Sequence, residues 1–432
     1  MSAPPGSPPP PPADLATPGR NLDLRDEPRN TAAMVANTIL VRTGWIFKTE
    51  SVIIPAFLDS IAGSGWMRGL LPVLNRLGQS VVPFLLARWM KLLPRKKFAL
   101  LATALAMAAP FLAISGGLIA FGPEPRSWFP VVFLTLYTVF FAATGMNMLA
   151  GGTLSGKLIR ANRRGRFMAL GTMGGTIPAC IFAWFLLPTW LDEGTGYAKI
   201  FGFTGVLFAV SALAALWIRE PADDYVEPRV SVAAQFRGAW QILREDRNYR
   251  LLVIVGALFT TSLILLPHYQ ALGRERLGLE GSNLMVWVVY QNVAVGIASV
   301  VMGPLADRYG NRFTLRIAMF ISALAPPLAL AISHFPVELG RSLYTWVFVG
   351  IGLTPIVFRL TTNYILEIAP EMDHPRYLSL AQLCNAVVIL TSPFFGLMID
   401  VSGFEGAFGV VTALMVAGGL LTFRLTEPRA RR

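Results

Sequence analysis

The sequence predicts an all-α polytopic membrane protein with twelve transmembrane helices in two pseudo-symmetric six-helix halves. Three observations lead there. Of the 432 residues, 54% are hydrophobic and only 14% charged, and the mean hydropathy is +0.55. A soluble domain carries about 25% charged residues, so lipid is the solvent this composition fits. Apolar runs of about 20 residues, enough to cross a bilayer as a helix, recur along the chain. A stretch of the first half also lies over a stretch of the second without a gap.

The chain opens with "MSAPPGSPPPPPADLATPGR". Residues 1–30 read as a disordered, partly polyproline II tail, not as a cleavable signal. Apolar runs then place spans at 31–58, 66–90, 97–121, 128–153, 166–189, 197–217, 249–270, 284–305, 313–333, 342–366, 377–399 and 406–424. Backbone facing lipid must satisfy its own hydrogen bonds, so each run is read as a helix. With the N-terminus inside, the inner segments hold 27 basic residues and the outer loops 6. That bias sets both termini in the cytoplasm. The formal charge of +12 then needs no nucleic acid; topology and attraction to anionic lipid account for it. Cys180 and Cys384 fit no redox or metal pattern, and the three histidines are scattered, so no metal or cofactor is expected.

Residues 138–170 ("TVFFAATGMNMLAGGTLSGKLIRANRRGRFMAL") align with 348–380 at an offset of 210. "SVIIPAF" (51–57) resembles "SLILLPHY" (262–269), and the exits "WIREP" and "RLTEP" correspond. The same order in both halves argues for six-helix units at 31–218 and 249–426. They are joined by a polar cytoplasmic loop at 219–248 containing "VAAQFRGAWQIL" and followed by a basic tail at 427–432. Parallel repeats with a site between them are transporter architecture.

After the eighth span comes "GPLADRYGNR". It resembles the loop signature of the major facilitator superfamily (MFS), G-x-L-A-D-x-x-G-x-R/K, at Gly303, Leu305, Ala306, Asp307, Gly310 and Arg312. The resemblance implies the MFS fold, and a motif in which Arg308 lies beside the matched residues. Gly303 would permit close helix packing and Gly310 a tight turn. It also implies that Asp307 faces the start of the fifth span, near Gly165, Arg166 and Phe167. Unpaired N–H groups and the helix dipole there favour a carboxylate. The first half departs from the pattern: "LLARWMKLLPRKK" puts Arg88 where the aspartate is expected. A charge-inverted latch is the corresponding expectation, with this basic loop meeting Glu367, Glu371 and Asp373.

Charges at bilayer depth usually face a cavity, a partner or a substrate path. "VRTGWIFKTE" carries Arg42, Lys48 and Glu50 in the first span, and the tenth carries Arg359. The resemblance implies that the first, fourth, seventh and tenth spans line a central cavity. At about 100° per residue, Thr38, Arg42, Trp45 and Thr49 share one helix face. Arg42 and Arg359 at similar depth could grip one anionic group. Asn147 and Thr354 fall in the central third of the fourth and tenth spans. Glu50 is the one acid placed deep in a span, about 12 Å along the helix from Arg42. It is the candidate proton-coupling group; the alternative is a static ion pair with Lys48, Arg76 or Arg359. Pro267 and Pro355 are expected to break their helices.

No G-x-x-x-x-G-K-[ST] run and no nucleophile–base pair at bilayer depth points to an ATPase or an enzyme. The reading is a secondary active transporter working by alternating access, for a small organic anion and with protons. The expected setting is a monomer in a bacterial inner membrane. An exporter of amphipathic, lipid-like or drug-like molecules, or a non-transporting sensor on this fold, are the alternatives.

Overall fold

The computed structural model describes residues 25–122, 126–191, 195–222, 241–370 and 373–427. Most of the N-terminal tail, most of the central loop, Glu371 and the residues after 427 lie outside that set, as does the side chain of Arg88. Among the described residues every regular element is helical.

Twelve helical spans follow the predicted order. The first is Glu27–Phe47 with Ile53–Ile61, and the next five are Gly65–Leu92, Lys97–Phe121, Phe129–Leu158, Ala161–Leu191 and Gly196–Ala214. The seventh is Arg247–Thr260 with Ser262–Leu277, the eighth Ser282–Tyr309, and the ninth Asn311–Ala323 with Ala325–Ser333. The tenth is Val337–Ile351 with Thr354–Ile368, the eleventh His374–Ile389 with Ser392–Ser402, and the twelfth Phe404–Leu421. Ten segments are long and apolar enough to cross a membrane. The other two predicted spans, the first and second, carry Arg42, Lys48, Glu50, Arg68 and Arg76.

The expectation of one continuous first helix is corrected: the chain leaves helical geometry between Phe47 and Ile53. Pro355 does mark a break, because it sits in the first turn of Thr354–Ile368, where a missing N–H costs nothing. Pro267 does not, since Ser262–Leu277 runs through it and the seventh span breaks at Thr261 instead. The breaks in the first and seventh spans therefore fall beside Ser51 and Ser262, which the repeat aligns.

The face bearing the chain ends is here called the terminal face. On it, the repeat is written in hydrogen bonds. Asn30 donates to the Arg219 carbonyl at 2.9 Å and accepts from its N–H at 2.8 Å. Asn248 accepts from the Thr426 N–H at 3.0 Å. So an asparagine at each half's entrance holds that half's exit. The exit acids then reach the start of each half's third helix. Glu220 accepts the Lys97 N–H at 2.8 Å, and Glu427 pairs with Arg312 at 3.2 Å.

The first half is held by an aromatic cluster. Phe57 packs on Phe133 and Phe201, and Phe140 on Phe111 and Phe208, with ring centres 4.8–5.5 Å apart. In hydrocarbon such packing replaces the hydrophobic drive between helices. The first six spans pack on one another, as do the last six. The halves meet where the second span packs on the eleventh, the fifth on the eighth, and the seventh on the first and second.

Gly310 has φ +88°, where an L side chain is strained, and an added Cβ would lie 2.8 Å from Glu427 Oε1. Gly303 is a correction: a Cβ there meets nothing within 4 Å, so it makes no close helix contact. It faces a cavity rather than a neighbour. We therefore expect Gly310→Ala to lower stability by about 1–3 kcal/mol, and Gly303→Ala, at an open position inside a helix, to raise it by about 0.5–1 kcal/mol. Thermal unfolding of the two variants in detergent checks the contrast.

Candidate functional site

The break in the first span builds the site. Residues two apart point away from each other on a helix. Ending the helix at Phe47 lets Lys48 Nζ reach Glu50 Oε1 at 2.8 Å. The freed backbone is satisfied locally. Ile54 N–H donates to the Thr49 carbonyl at 3.0 Å and Ile53 N–H to Thr49 Oγ1 at 3.3 Å. Thr49 is thus lost from the predicted helix face and caps the second segment instead.

Lys48 is wholly buried. Its ammonium lies 3.4 Å from the centre of the Trp45 ring and 4.6 Å from those of Phe140 and Phe141. Three aromatic faces and one carboxylate therefore replace its water. The second Glu50 oxygen accepts from Asn75, which in turn accepts from Gln79 at 2.7 Å. Glu50, Asn75, Arg76 and Tyr137 line one pocket, against apolar walls from the seventh and eleventh spans. The buried Tyr137 hydroxyl meets no hydrogen-bond partner among the described residues.

Thr38, Arg42 and Trp45 do share a face, and it looks into the groove between the fourth and fifth spans. Glycines open that groove. A Cβ on Gly171 would lie 2.7 Å from Thr38, and one on Gly175 2.7 Å from Arg42. Thr38 turns its hydroxyl back to the Met34 carbonyl at 2.8 Å. Arg42 Nε donates to Thr176 Oγ1 at 3.2 Å. Arg359 is exposed and lines a second cavity, of about 470 Å³, with Ser299, Asp307, Asn311 and Asn363. Neither arginine forms an ion pair with a described carboxylate.

The other predicted residues divide. Asn147 turns from the centre to the third span, donating to Thr103 Oγ1 at 3.0 Å and the Leu100 carbonyl at 3.3 Å. Thr354 is buried at the break of the tenth span. Arg166 is exposed at the start of the fifth span, which packs on the eighth that carries Asp307. Arg308 stacks over Tyr309 at 5.3 Å. Arg312 serves its own half, pairing with Glu427 and donating to the Leu425 carbonyl at 2.8 Å. Of the proposed basic–acidic latch, Lys97 is drawn to its own half by Glu220 and the Ile218 carbonyl, and Asp373 pairs with Arg376 at 3.8 Å.

The face opposite the termini is closed by contacts that sequence reasoning missed. Asp59 of the first span pairs with Arg68 at 2.8 Å and with Arg274 of the seventh span at 3.2 Å. Arg68 also reaches Glu275 at 3.4 Å. Asp400 of the eleventh span accepts the Gly65 and Trp66 N–H groups, at 2.7 and 2.8 Å, and so caps the second span from the other half. A Cβ on Gly396 would lie 2.2 Å from the Gly65 carbonyl, and one on Gly69 2.7 Å from that of Ser392. Here backbone lies on backbone. Nearer the middle, Ser51 donates to Gln291 at 2.6 Å and Arg76 to Gln382 across the same interface. Some signal was in the sequence: Asp59 and Asp400 each stand at the end of a span, and Arg68 follows Asp59 by nine residues.

A family model described as "Major Facilitator Superfamily" matches residues 43–291 and 274–432. No curated protein matches the chain in sequence. Its fold is similar to that of a mutant of the nucleoside transporter NupG, at 11% identity and TM-score 0.73, covering 92% of this chain and 100% of that one. A bacterial homologue of the human lysosomal transporter Spinster, in an inward-facing and unoccupied conformation, gives 14%, 0.68, 92% and 97%. A D-xylose–proton symporter gives 12%, 0.68, 92% and 98%.

Two outcomes follow from the closed face. Arg68→Leu leaves Asp59 with Arg274 alone and should cost about 1.5–3 kcal/mol, read as a lowered unfolding midpoint. Gly396→Leu cannot keep the seam closed. In a background with Cys180 and Cys384 replaced by serine, spin labels at Ser64→Cys and Ser402→Cys should move apart. An unchanged distance would show that the seam tolerates the bulk.

Proposed function

Because the chain belongs to the Major Facilitator Superfamily, we propose that it is a secondary active transporter that carries a small organic anion together with protons by alternating access. The termini lie in the cytoplasm of a bacterial cell, the chain works as a monomer, and the arrangement described is inward-facing. The observation that carries the anion is the pair Arg42 and Arg359. They come from opposite halves, and neither forms an ion pair with a described carboxylate, although Asp307 lines the same cavity as Arg359. A guanidinium that is not paired with an acid can grip a carboxylate or phosphate. Arg359 is exposed to the cavity at the terminal side, where a ligand can reach it.

Glu50 supplies the proton step. It is partly exposed to the central pocket, at 21%, while Lys48 and Asn75 hold its two oxygens. Asp307, Gly310 and Arg312, with Arg166 across the seam, serve the change of state. A second reading, a neutral hydroxylated substrate, is favoured by the pocket that joins Glu50, Asn75 and the unpartnered Tyr137 hydroxyl.

Thermal unfolding of purified protein against small anionic, neutral and cationic metabolites, at pH 5.5 and 8, tests the reading. One anion class should raise the midpoint. Arg42→Ala or Arg359→Ala should weaken its binding about 10- to 100-fold, the value of a charged hydrogen bond. Stabilisation by neutral sugars or nucleosides alone, undiminished in both variants, would replace the anion by the second reading.

A further inference from the structure

Gly303 and Asp307 line a cavity that the second half builds by itself. Ser299, Gly303 and Asp307 follow one another at four-residue spacing, so they share one face of the eighth span. Arg359 and Asn363 repeat that spacing on the tenth span and line the same space. Asn311, the first residue of the ninth span, borders it from a third side. A Cβ on Gly303 would meet nothing within 4 Å, so the motif glycine keeps this space open instead of holding two helices together.

The cavity holds charges of both signs that do not neutralise each other. No ion pair joins Arg359 to Asp307, and Arg359 makes no hydrogen bond to a described group. Asn311 is 6% exposed, and its carboxamide oxygen meets no hydrogen-bond partner among the described residues. The Ser299 hydroxyl donates to the Val295 carbonyl at 2.7 Å, which leaves its oxygen to accept. Donors and acceptors are therefore sorted: Arg359 offers N–H groups, while Asp307, Asn311 and Ser299 offer oxygens. They are also sorted by depth. Asp307 lies two residues before Tyr309 and Arg359 nine before Ile368, where their spans end at the terminal face. The cation is thus the deeper of the two.

We propose that this cavity binds a small zwitterion, its anionic group on Arg359 and its ammonium between Asp307 and the Asn311 oxygen. A simple anion satisfies Arg359 but brings its charge toward the Asp307 carboxylate. A ligand with an ammonium at its other end answers both charges, and in a low-dielectric site such complementarity selects between ligands. The carried anion is then an amino-bearing carboxylate or phosphate. This deepens, and rests on, the assignment of Arg359 to the anion. A free metabolite and an aminated lipid headgroup share this chemistry, and the test separates them.

The test is equilibrium binding to detergent-purified full-length protein, with ligands in matched sets. Glycine, β-alanine, γ-aminobutyrate and phosphoethanolamine are compared with acetate, propionate, butyrate and ethyl phosphate, and with the corresponding amines. In wild type at least one zwitterion should bind about 10- to 100-fold more tightly than its deaminated partner, the value of one charged hydrogen bond. Arg359→Gln should lose that zwitterion and the anion alike. Asp307→Asn should abolish the preference and bind the deaminated anion more tightly than wild type does. A part in gating alone does not change selectivity in that way. Gly303→Leu, which fills open space, should remove binding while the unfolding midpoint holds. No preference for any zwitterion in wild type overturns the proposal, as does a preference that survives in Asp307→Asn. Binding of phosphatidylethanolamine in mixed micelles, with no soluble zwitterion bound, also overturns it and makes the cavity a lipid site. If simple anions bind through Arg359 and an ammonium adds nothing, the zwitterion alone is struck. If anion binding is undiminished in Arg359→Gln, the reading beneath it fails as well.

Discussion

Within hydrocarbon, a helix can stop only where its freed N–H and C=O groups and any charges find partners at once. The interruption of the first span between Phe47 and Ile53 meets that condition, and much of the molecule is arranged around it. Thr49 supplies local hydrogen-bond acceptors, Lys48 and Glu50 neutralise each other, and Ser51 reaches Gln291 in the other half. The aromatic residues of the fourth span then have a definite task beyond packing: Phe140 and Phe141 solvate an ammonium that no water reaches. Asn75 and Gln79 extend the arrangement into the second span.

The two faces of the molecule solve opposite problems. On the terminal face each half is tied to itself, entrance to exit, by Asn30 with Arg219 and Asn248 with Thr426. Such ties make each half a unit that can move as a body. On the opposite face the ties run between the halves. Asp59, Arg68, Arg274 and Glu275 form a four-charge cluster, and Asp400 caps a helix that is not its own. Charges that are fully paired in this state must be solvated again when it opens. Glycine contacts at Gly65, Gly69 and Gly396 let the backbones approach closely enough for those pairs to form. A carboxylate-on-helix device of the kind expected of Asp307 is also made on the opposite face, by Asp400.

Much of the architecture was legible in the chain. Apolar length gave the spans, but the breaks at 48–52 in the first span and at Thr261 in the seventh were not expected, although the repeat aligns Ser51 and Ser262 beside them. The embedded charges were legible as a set, but their partners were not. Arg42 and Arg359 lie 317 positions apart in sequence, and only packing on Gly171 and Gly175 fixes where the first span points. Asn147 looked like a cavity residue by depth, yet its amide faces Thr103, because depth fixes height in the bilayer and not rotation about the helix axis. Gly303 carried a motif's expectation of close packing that its open surroundings do not meet.

The sequence by itself determined that the chain lies in a bilayer, how many times it crosses, that its halves are related, and that charge is kept at depth. These depend on composition and on spacing along one dimension. The tertiary structure alone decided that Lys48 and Glu50 pair with each other, that Asp59 and Asp400 close one face, and that Arg42 turns to Thr176. Those outcomes depend on where helices end and how they rotate. Both are set by side-chain packing between spans distant in the chain, which no local pattern records.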